Sequence, residues 1–408
     1  MIKSVIIAGI FSYPDGVAAS SRMRNLALGF AQNGVAVKVI CLYQGSDITK
    51  HEAQVDLFKG YEIPYYAITQ FSKETSNIFV RILNRIKFYS SINNLVKSIT
   101  YSASGTSDEL IFLYGRSYTF LSKIIKCKNK LDLKSKLVFD IVEPPRTKVS
   151  KIEYLFHPFV WESSLIFKFN FFRNFDACTF ISYSLKEAYV NQVRQAIIVP
   201  SILHLSPVEE PNKMDGVSLN IGYVGALLEK DFPGLLYKVG EQLELAGKNF
   251  ELSILGRFEN FAVGRAWKKK FDNSIFSSKI KYYSNPSDVE IKSILEQINF
   301  IVLFRKPEFL QQFTFPTRVV EMLAENKLII INSFGDFKKY FKNGYNSICI
   351  EENEVSKIDS IITDFLQVNK YNEVLSNSLK LFNNEFNPKI NAGKILKAFS
   401  VEESLLKK

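Results

Sequence analysis

The chain has 408 residues, more than one hydrophobic core usually spans, so two domains are expected. Hydrophobic residues make up 47% of it and charged residues 23%, a composition that excludes a disordered chain. The net charge of +11 favours anionic partners: nucleotide phosphates, an acidic membrane surface or nucleic acid. Because no nucleic-acid-binding motif is present, nucleic acid is the least favoured of the three.

The four cysteines are scattered and form no CxxC pair, so they indicate neither a disulfide framework nor a zinc site. A reducing, cytoplasmic setting is therefore expected. The apolar run near the N-terminus is short and predicts a first strand rather than a signal peptide. No apolar run approaches the roughly eighteen residues of a membrane-spanning helix.

The chain opens with a β-loop-α-β unit. Ser4–Ile10 reads as a strand, a helix follows from about Ser21, Gly34 ends the helix, and Val35–Leu42 forms the next strand. Such units build a parallel sheet with helices on its faces.

The loop before this helix lies where parallel sheets bind ligands, at the carboxyl ends of strands. Gly16 permits close backbone approach, and Ser20, Ser21 and Arg22 stand at the helix N-terminus. The serines serve equally well as simple helix caps. The dinucleotide fingerprint GxGxxG is absent, which counts against a dehydrogenase.

Two further strands end in polar residues. Leu110–Tyr114 leads to Arg116, and Lys136–Val142 contains Asp140 and leads to Glu143. As parallel strands they bring these side chains to the same edge of the sheet, where they are candidate polar groups of a cleft. Ordinary strand-end turns explain them equally well.

The segment Ile152–Phe175 is crowded with aromatic residues and also carries Lys and Arg. This mixture predicts either a surface that lies on an anionic bilayer or a core helix. The core helix is the commoner structure for such a stretch.

A linker is expected between Pro200 and Ser218, after which the pattern starts over. Asn220–Val224 reads as a strand, Pro233–Ala246 as a helix and Phe250–Leu255 as a strand. This repetition predicts two similar α/β domains with a cleft between them.

A helix then begins at Pro316 and ends near Asn326, and Leu328–Ile331 follows as a buried strand. Apolar neighbours place most of this helix in the interior, where Glu321 needs hydrogen-bond donors.

The helix N-terminus at Thr314, Pro316 and Thr317 offers N–H groups and hydroxyls to a phosphate, while Glu321 would accept hydrogen bonds from sugar hydroxyls. Together they suit a nucleotide diphosphate sugar. The alternative is that Glu321 lies on a solvated stripe and that FTFPT only starts the helix.

Three runs, IGYVGALLEKDFPGLL, FELSILGRF and FTFPTRVVEMLAENKLIIINSFGDFKKYFKNGYNS, resemble the GT-B glycosyltransferases, especially glycosyltransferase family 4. SSRMRNLALGFAQNGVAVKVICLY resembles that family's N-terminal acceptor domain. The motifs appear in family order over nearly the whole chain. The implied fold is two Rossmann-like, doubly wound parallel-sheet domains facing across a cleft. The implied divisions are an acceptor-binding domain over 1–203, a nucleotide-sugar domain over 204–385, and a C-terminal helix over 386–408 that packs back on the first domain.

The resemblance implies that Glu321 contacts the nucleotide ribose and that Lys230 contacts the diphosphate, where a cation would stabilise the departing group. The donor-binding residues it implies are Gly225, Lys230, Gly256, Arg257, Thr314, Pro316, Thr317, Arg318 and Glu321.

The chain departs from the family pattern at three places. Phe313 stands where the first acidic residue of E-x7-E is expected, and Ala226 stands where an arginine often follows the loop glycine. Arg257, Arg305 and Arg318 are the candidates to replace the missing charge. None of the histidines, His51, His157 and His204, ends a strand, so Asp140, Glu143 or Arg116 is expected to take part instead.

The predicted function is transfer of a sugar from a nucleotide diphosphate sugar to a glycan or lipid-linked acceptor at the cytoplasmic membrane face, in cell-surface polysaccharide biosynthesis. The expected chemistry retains configuration without a protein nucleophile, and the absence of DxD predicts no metal; no cofactor is expected. The candidate catalytic residues are Lys230, Glu321, Asp140 and Glu143. The candidate acceptor-binding residues are Gly16, Ser20, Ser21, Arg22 and Arg116. The alternatives are a nucleotide-sugar epimerase or hydrolase and a non-catalytic nucleotide-sugar-binding scaffold.

Overall fold

The computed structural model describes residues 1–16, 18–44, 54–70, 78–144, 158–168, 171–204, 219–307 and 312–405. The chain divides into two compact units. The first unit comprises Met1–Leu203 with Asn387–Lys408, and the second comprises His204–Phe386. Each unit is a parallel β-sheet with helices.

The described residues of the first unit form a sheet of eight strands in the order β3-β4-β2-β1-β5-β6-β7-β8. All neighbours pair in parallel except β3 with β4. Its strands are β1 Ser4–Tyr13, β2 Ala36–Gln44, β3 Gln54–Phe58, β4 Tyr61–Gln70, β5 Glu109–Tyr114, β6 Lys136–Ile141, β7 Ala177–Phe180 and β8 Ala196–Ile198. Its helices are α1 Ala18–Gln32, α2 Ile78–Ser102, α3 Tyr118–Lys130, α4 Pro158–Lys168 and α5 Tyr183–Tyr189.

In the second unit, six parallel strands lie within the described ranges, in the order β11-β10-β9-β12-β13-β14. They are β9 Leu219–Val224, β10 Phe250–Gly256, β11 Ile280–Ser284, β12 Phe300–Leu303, β13 Leu328–Ile331 and β14 Ile348–Cys349. The helices are α6 Pro233–Leu245, α7 Ala262–Asp272, α8 Asp288–Glu296, α9 Thr317–Ala324, α10 Phe337–Tyr340, α11 Ile358–Phe365 and α12 Val368–Leu381.

The strand order reverses once in each sheet, at β1 in the first unit and at β9 in the second. β1 lies between β2 and β5, and β9 lies between β10 and β12. Loops that leave neighbouring strands at such a point run in opposite directions and open a crevice at the carboxyl ends of the strands. The candidate sites of both units are therefore at these strand ends.

The central strands are buried on both faces, and this is why they read as continuous apolar runs. Val5–Gly9 of β1 is buried throughout, as is all of Leu328–Ile331 in β13. Because neither face meets water, the hydrophobic runs locate these strands from the sequence alone.

The last helix, α13 Pro388–Leu405, belongs to the first unit and packs on α1. Ala392, Ile395 and Phe399 of α13 are buried in the hydrophobic core of that unit. The helices approach closely at Gly29, where a Cβ would lie 2.3 Å from the carbonyl oxygen of Pro388.

The substitution Gly29→Ala is expected to destabilise the first unit, although alanine favours an isolated helix by about 1 kcal/mol. The added methyl overlaps a backbone atom, and overpacking of this kind costs about 1 to 3 kcal/mol. Thermal unfolding measures the effect. Gly393→Ala is the matched control, because a Cβ there meets its nearest atom, in Asn33, at 3.6 Å. Equal melting temperatures for the two variants would show that α13 does not depend on this contact.

The elements β3, β4, α7 and α1 are among those that differ from the sequence prediction. The antiparallel pair β3 and β4 was not predicted; its turn has positive φ at Lys59 and Gly60, with Lys-Gly in place of the usual Asn-Gly or Asp-Gly. The charged helix α7 was also passed over. α1 begins at Ala18 rather than near Ser21, so Ser20 and Ser21 lie in its first turn and do not cap it.

The described part of the aromatic segment faces the core. Phe172 and Phe175 are fully buried, and their rings stack on Phe139 with centroids 6.2 and 5.2 Å away. The preceding residues Ile152–His157 lie outside the described ranges, as do residues 205–218 of the linker expected between Pro200 and Ser218. None of the helices in the described ranges combines the length and apolarity that a bilayer crossing requires.

Candidate functional site

The loops after β9 and β10 in the second unit touch through two glycines. Gly256 has φ of +136°, and a Cβ on it would lie 2.2 Å from the carbonyl oxygen of Gly225. A Cβ on Gly225 would lie 2.4 Å from the hydroxyl oxygen of Tyr223. A side chain on Gly256 would force the two loops apart, and a side chain on Gly225 would collide with the Tyr223 hydroxyl, so both positions favour glycine.

A short 3-10 helix, Glu229–Asp231, follows Gly225 and holds Lys230 at the surface. Asp231 accepts a hydrogen bond from the guanidinium of Arg305 and another from Tyr223 Oη at 3.3 Å. Lys306 donates its backbone N–H to the Lys230 carbonyl at 3.1 Å. The Lys230 loop is thus fastened to the segment that follows β12.

Burial raises the pKa of Tyr223, and the nearby Asp231 carboxylate raises it further. The hydroxyl stays protonated, so Tyr223 donates to Asp231 while it accepts the Leu227 N–H at 3.1 Å. This network sets the shape of the loop beneath Lys230.

The cations around these strand ends differ in their partners. Arg305 is paired with Asp231, and Arg318 is paired with Glu321, whose Oε2 lies 3.0 Å from its Nε. Lys230 and Arg257 are exposed, and within the described ranges no carboxylate lies at ion-pair distance from either. Of the arginines considered as replacements for the charge missing at Ala226, Arg257 is therefore the one without a carboxylate partner.

The N-terminus of α9 also lies at this edge, because the helix leads into β13. Pro316 is the N-cap residue and provides no side-chain cap to the first-turn N–H groups. Phe315 anchors the approach to the helix, with its ring 5.3 Å from that of Tyr340 and 5.4 Å from that of Phe386. This packing holds Thr314, Pro316 and Thr317 at the N-terminus of α9.

The prediction that Glu321 lies in the interior is wrong. Its side chain is 44% exposed, since Thr317, Glu321 and Glu325 share the outer stripe of α9. The buried face is made by Val319, Val320, Met322, Leu323 and Ala324. Glu321 is thus a solvent-accessible carboxylate held by Arg318, as the alternative reading of this helix expected.

The first unit has a cavity of about 340 Å³ at the carboxyl ends of β1, β5 and β6. It is lined by Ile10, Ala19, Tyr114, Gly115, Arg116, Ser117, Asp140, Val142 and Glu143. The sequence predicted that Arg116, Asp140 and Glu143 meet at one sheet edge, and they do so here. Burial, with a contribution from Asp140, raises the pKa of Tyr114 to about 12.

Arg22 and Asp140 form a buried ion pair. Arg22 Nε and Nη2 lie 2.8 and 2.9 Å from the two carboxylate oxygens, and Thr179 Oγ1 donates to Asp140 Oδ1 at 2.6 Å. The guanidinium also donates to the carbonyl oxygens of Val199 and Pro200. The side chains are 7% and 0% exposed, so the pair is built into the interior, and the ligand-binding roles of Arg22 and Asp140 stay predictions.

The remaining acceptor-side candidates occupy the start of α1. Gly16 is exposed, and a Cβ on it would lie 2.3 Å from Ser20 Oγ. Ser20 is buried, whereas Ser21 is exposed and accepts a hydrogen bond on its carbonyl from Asn25. Only Ser21 of the two serines therefore has a side chain at the surface.

Sequence reasoning missed Glu162, a buried carboxylate in α4. It accepts hydrogen bonds from Ser117 Oγ, from Thr119 Oγ1 at 2.8 Å and from Tyr89 Oη at 2.9 Å. These contacts tie α4 to the start of α3 and fix Ser117 at the wall of the cavity. The only sequence signal was a lone acidic residue within an aromatic helix.

His51 and His157 lie outside the described residues, and His204 is the last described residue before the gap over 205–218. In the parts of the chain that the structure describes, no cluster of three histidine, cysteine, aspartate or glutamate side chains forms a metal site.

No protein-family model matches the sequence, and no curated protein matches it. Solved structures match the fold over nearly its whole length. Sucrose-phosphate synthase from Thermosynechococcus elongatus aligns with a TM-score of 0.64 at 11% identity, over 99% of this chain and 100% of that one. A glycosyltransferase from Rickettsia africae aligns with a TM-score of 0.62 at 15% identity, over 100% of this chain and 99% of that one.

A trehalose-6-phosphate structure from E. coli, solved with UDP-2-fluoro glucose bound, aligns with a TM-score of 0.60 at 9% identity, over 97% of this chain and 98% of that one. At these identities the likeness shows the fold alone. The chain has the GT-B fold, with two parallel-sheet α/β domains.

Proposed function

We propose that the protein is a glycosyltransferase that moves a sugar from a nucleotide diphosphate sugar to a hydroxyl group of a glycan or lipid-linked acceptor. The observation that carries this proposal is the pair of exposed cations, Lys230 and Arg257, which follow the touching glycines Gly225 and Gly256. Glycines let a ligand approach the backbone, and two cations that have no carboxylate partner among the described residues favour a diphosphate. The GT-B structures, one of them with a bound nucleotide sugar, support the same reading.

The proposal assigns a role to each donor-site residue. Lys230 and Arg257 stabilise the negative charge that develops on the departing diphosphate as the glycosidic bond breaks. The N-terminus of α9 at Thr314, Pro316 and Thr317 offers N–H groups and hydroxyls to the phosphates. Glu321 accepts hydrogen bonds from the ribose hydroxyls, and Arg318 holds its carboxylate in place.

The proposal includes retention of configuration without a protein nucleophile, and charge stabilisation by side chains rather than by a divalent metal ion. It also includes a polysaccharide acceptor at the cytoplasmic membrane face. The net charge of +11 supports such a location. If the protein does not sediment with anionic vesicles in a salt-dependent way, the membrane location is contradicted.

The first test is a thermal-shift screen of the full chain against UDP-, GDP-, ADP- and CMP-sugars. A donor that binds only the folded protein raises its melting temperature. At a donor concentration of a hundred times Kd, the free energy of unfolding increases by about 2.7 kcal/mol. We expect one base to produce a clear shift. No shift with any of them at millimolar concentration would contradict the proposed function.

A non-catalytic scaffold is the second candidate, and it is favoured by Phe313 and Ala226, which remove two charges from the family pattern. A scaffold binds the donor without ever consuming it. A transferase consumes the donor only with acceptor, and an epimerase or hydrolase consumes it without acceptor. Product analysis with and without acceptor therefore separates the three.

A further inference from the structure

One surface ion pair lies in the wall of the cavity of the first unit. Arg116 Nη2 lies 2.9 Å from Glu143 Oε2, and the two side chains are 31% and 53% exposed. Arg116 also donates to the carbonyl oxygen of Pro144 at 3.3 Å. With a volume of about 340 Å³, the cavity is at the small end of ligand sites and suits a single small ring.

The charges around the cavity cancel among the described residues. Arg116 is neutralised by Glu143, and the deeper Asp140 is neutralised by Arg22. A phosphate group that approached Arg116 would meet the Glu143 carboxylate beside it, and like charges at such short range repel. A sugar hydroxyl meets no such repulsion, because it donates to Glu143 and accepts from Arg116.

The wall that carries Arg116 is rigid. Gly115 has φ of +125°, and a Cβ there would lie 3.0 Å from the Cβ of Ile10. Ser117 caps α3 by accepting the Phe120 N–H at 3.2 Å while it donates to the buried Glu162. Arg116 therefore stands between two fixed residues, and its pairing with Glu143 is present without a ligand.

We propose that this cavity takes an uncharged, hydroxyl-bearing sugar ring of the acceptor and that Glu143, by holding Arg116, excludes a phosphorylated ring. The identification of the ring as part of the acceptor rests on the proposed function. The selectivity rests on the ion pair alone. It sets this chain apart from structural neighbours whose names include a sugar phosphate.

The test is saturation-transfer NMR on the full chain without donor, with methyl glycosides of glucose, galactose and mannose and with glucose 6-phosphate as probes. At least one methyl glycoside is expected to bind, with an affinity that changes less than about twofold between about 20 and 200 mM salt. Glucose 6-phosphate is expected to bind more weakly. Ala19→Leu and Val142→Phe, which fill the cavity, are expected to abolish the signal without lowering the melting temperature.

The inference is overturned if no methyl glycoside binds, if glucose 6-phosphate binds more tightly than all of them, or if both folded cavity-filling variants still bind. The variant Glu143→Gln tests the selectivity separately, because it removes the negative charge that is paired with Arg116. It is expected to tighten glucose 6-phosphate binding about fivefold or more, because the repelling charge is gone. Methyl glycoside binding is expected to weaken, because the sugar hydroxyl loses a charged acceptor. Glu62→Gln removes the same charge from an exposed site on β4 and serves as the control.

An unchanged affinity of Glu143→Gln for glucose 6-phosphate also overturns the selectivity. Failure of this inference is distinct from failure of the proposed function, because the donor screen reports on the second unit and these probes report on the first. Donor binding without glycoside binding removes only the present inference. Glycoside binding without donor binding leaves a sugar-binding cavity and removes the transferase.

Discussion

Replacement of Arg22 by alanine is expected to lower the free energy of unfolding of the first unit by about 3 to 5 kcal/mol. The change leaves Asp140 as a buried carboxylate with Thr179 as its remaining described donor. It also removes the donors to the carbonyl oxygens of Val199 and Pro200. Breaking one side of a buried pair costs more than the pair contributes, because the remaining charge is left without solvent or partner.

Urea unfolding followed by tryptophan fluorescence measures this effect. The chain has two tryptophans, Trp161 in the first unit and Trp267 in the second, so a Trp267→Phe background reports on the first unit alone. Lys3→Ala is the control, because its ion pair with Asp108 is at the surface and such pairs contribute little to stability. A loss below about 1 kcal/mol for Arg22→Ala would show that the pair is not structural.

Replacement of Lys230 by alanine is expected to lower kcat by about a hundredfold to a thousandfold, the usual cost of removing one group that stabilises developing negative charge. The melting temperature without ligand should stay unchanged, since Lys230 is exposed and lacks a described ion-pair partner. Steady-state kinetics with the donor identified by thermal shift measures the loss. Lys230→Arg keeps the charge and should recover part of the activity.

Arg257→Ala is also expected to lower kcat. The double variant with Lys230→Ala and Arg257→Ala shows whether the two cations bind the same diphosphate. Effects that are less than additive indicate a shared group. Lys269→Ala is the matched control, as an exposed lysine in the last turn of α7. Full activity of Lys230→Ala would remove this residue from the mechanism and leave Arg257 as the candidate cation.

The sequence predicted several residues of the candidate site but not the side chains with which they pair. Gly225 and Gly256 were recognisable, because loop glycines after apolar strands are a local signal. Lys230 and Arg257 entered through the resemblance and their loop positions. The partners were not recognisable: Asp231 and Arg305 are 74 residues apart, and Arg22 and Asp140 are 118 apart. Spacing in sequence carries no information about which side chains a strand order brings together.

The sequence by itself determined the positions of the main strands and loops. The apolar runs of β1 and β13, the repeated strand-helix alternation and the glycine loops follow from residue types and their spacing, since a strand buried on both faces has no polar position. The tertiary structure decided which charges are available. It buried Asp140 against Arg22, exposed Glu321 and left Glu143 at the mouth of a cavity. A carboxylate's availability depends on the desolvation and the partners that packing imposes, and neither is written in the residue itself.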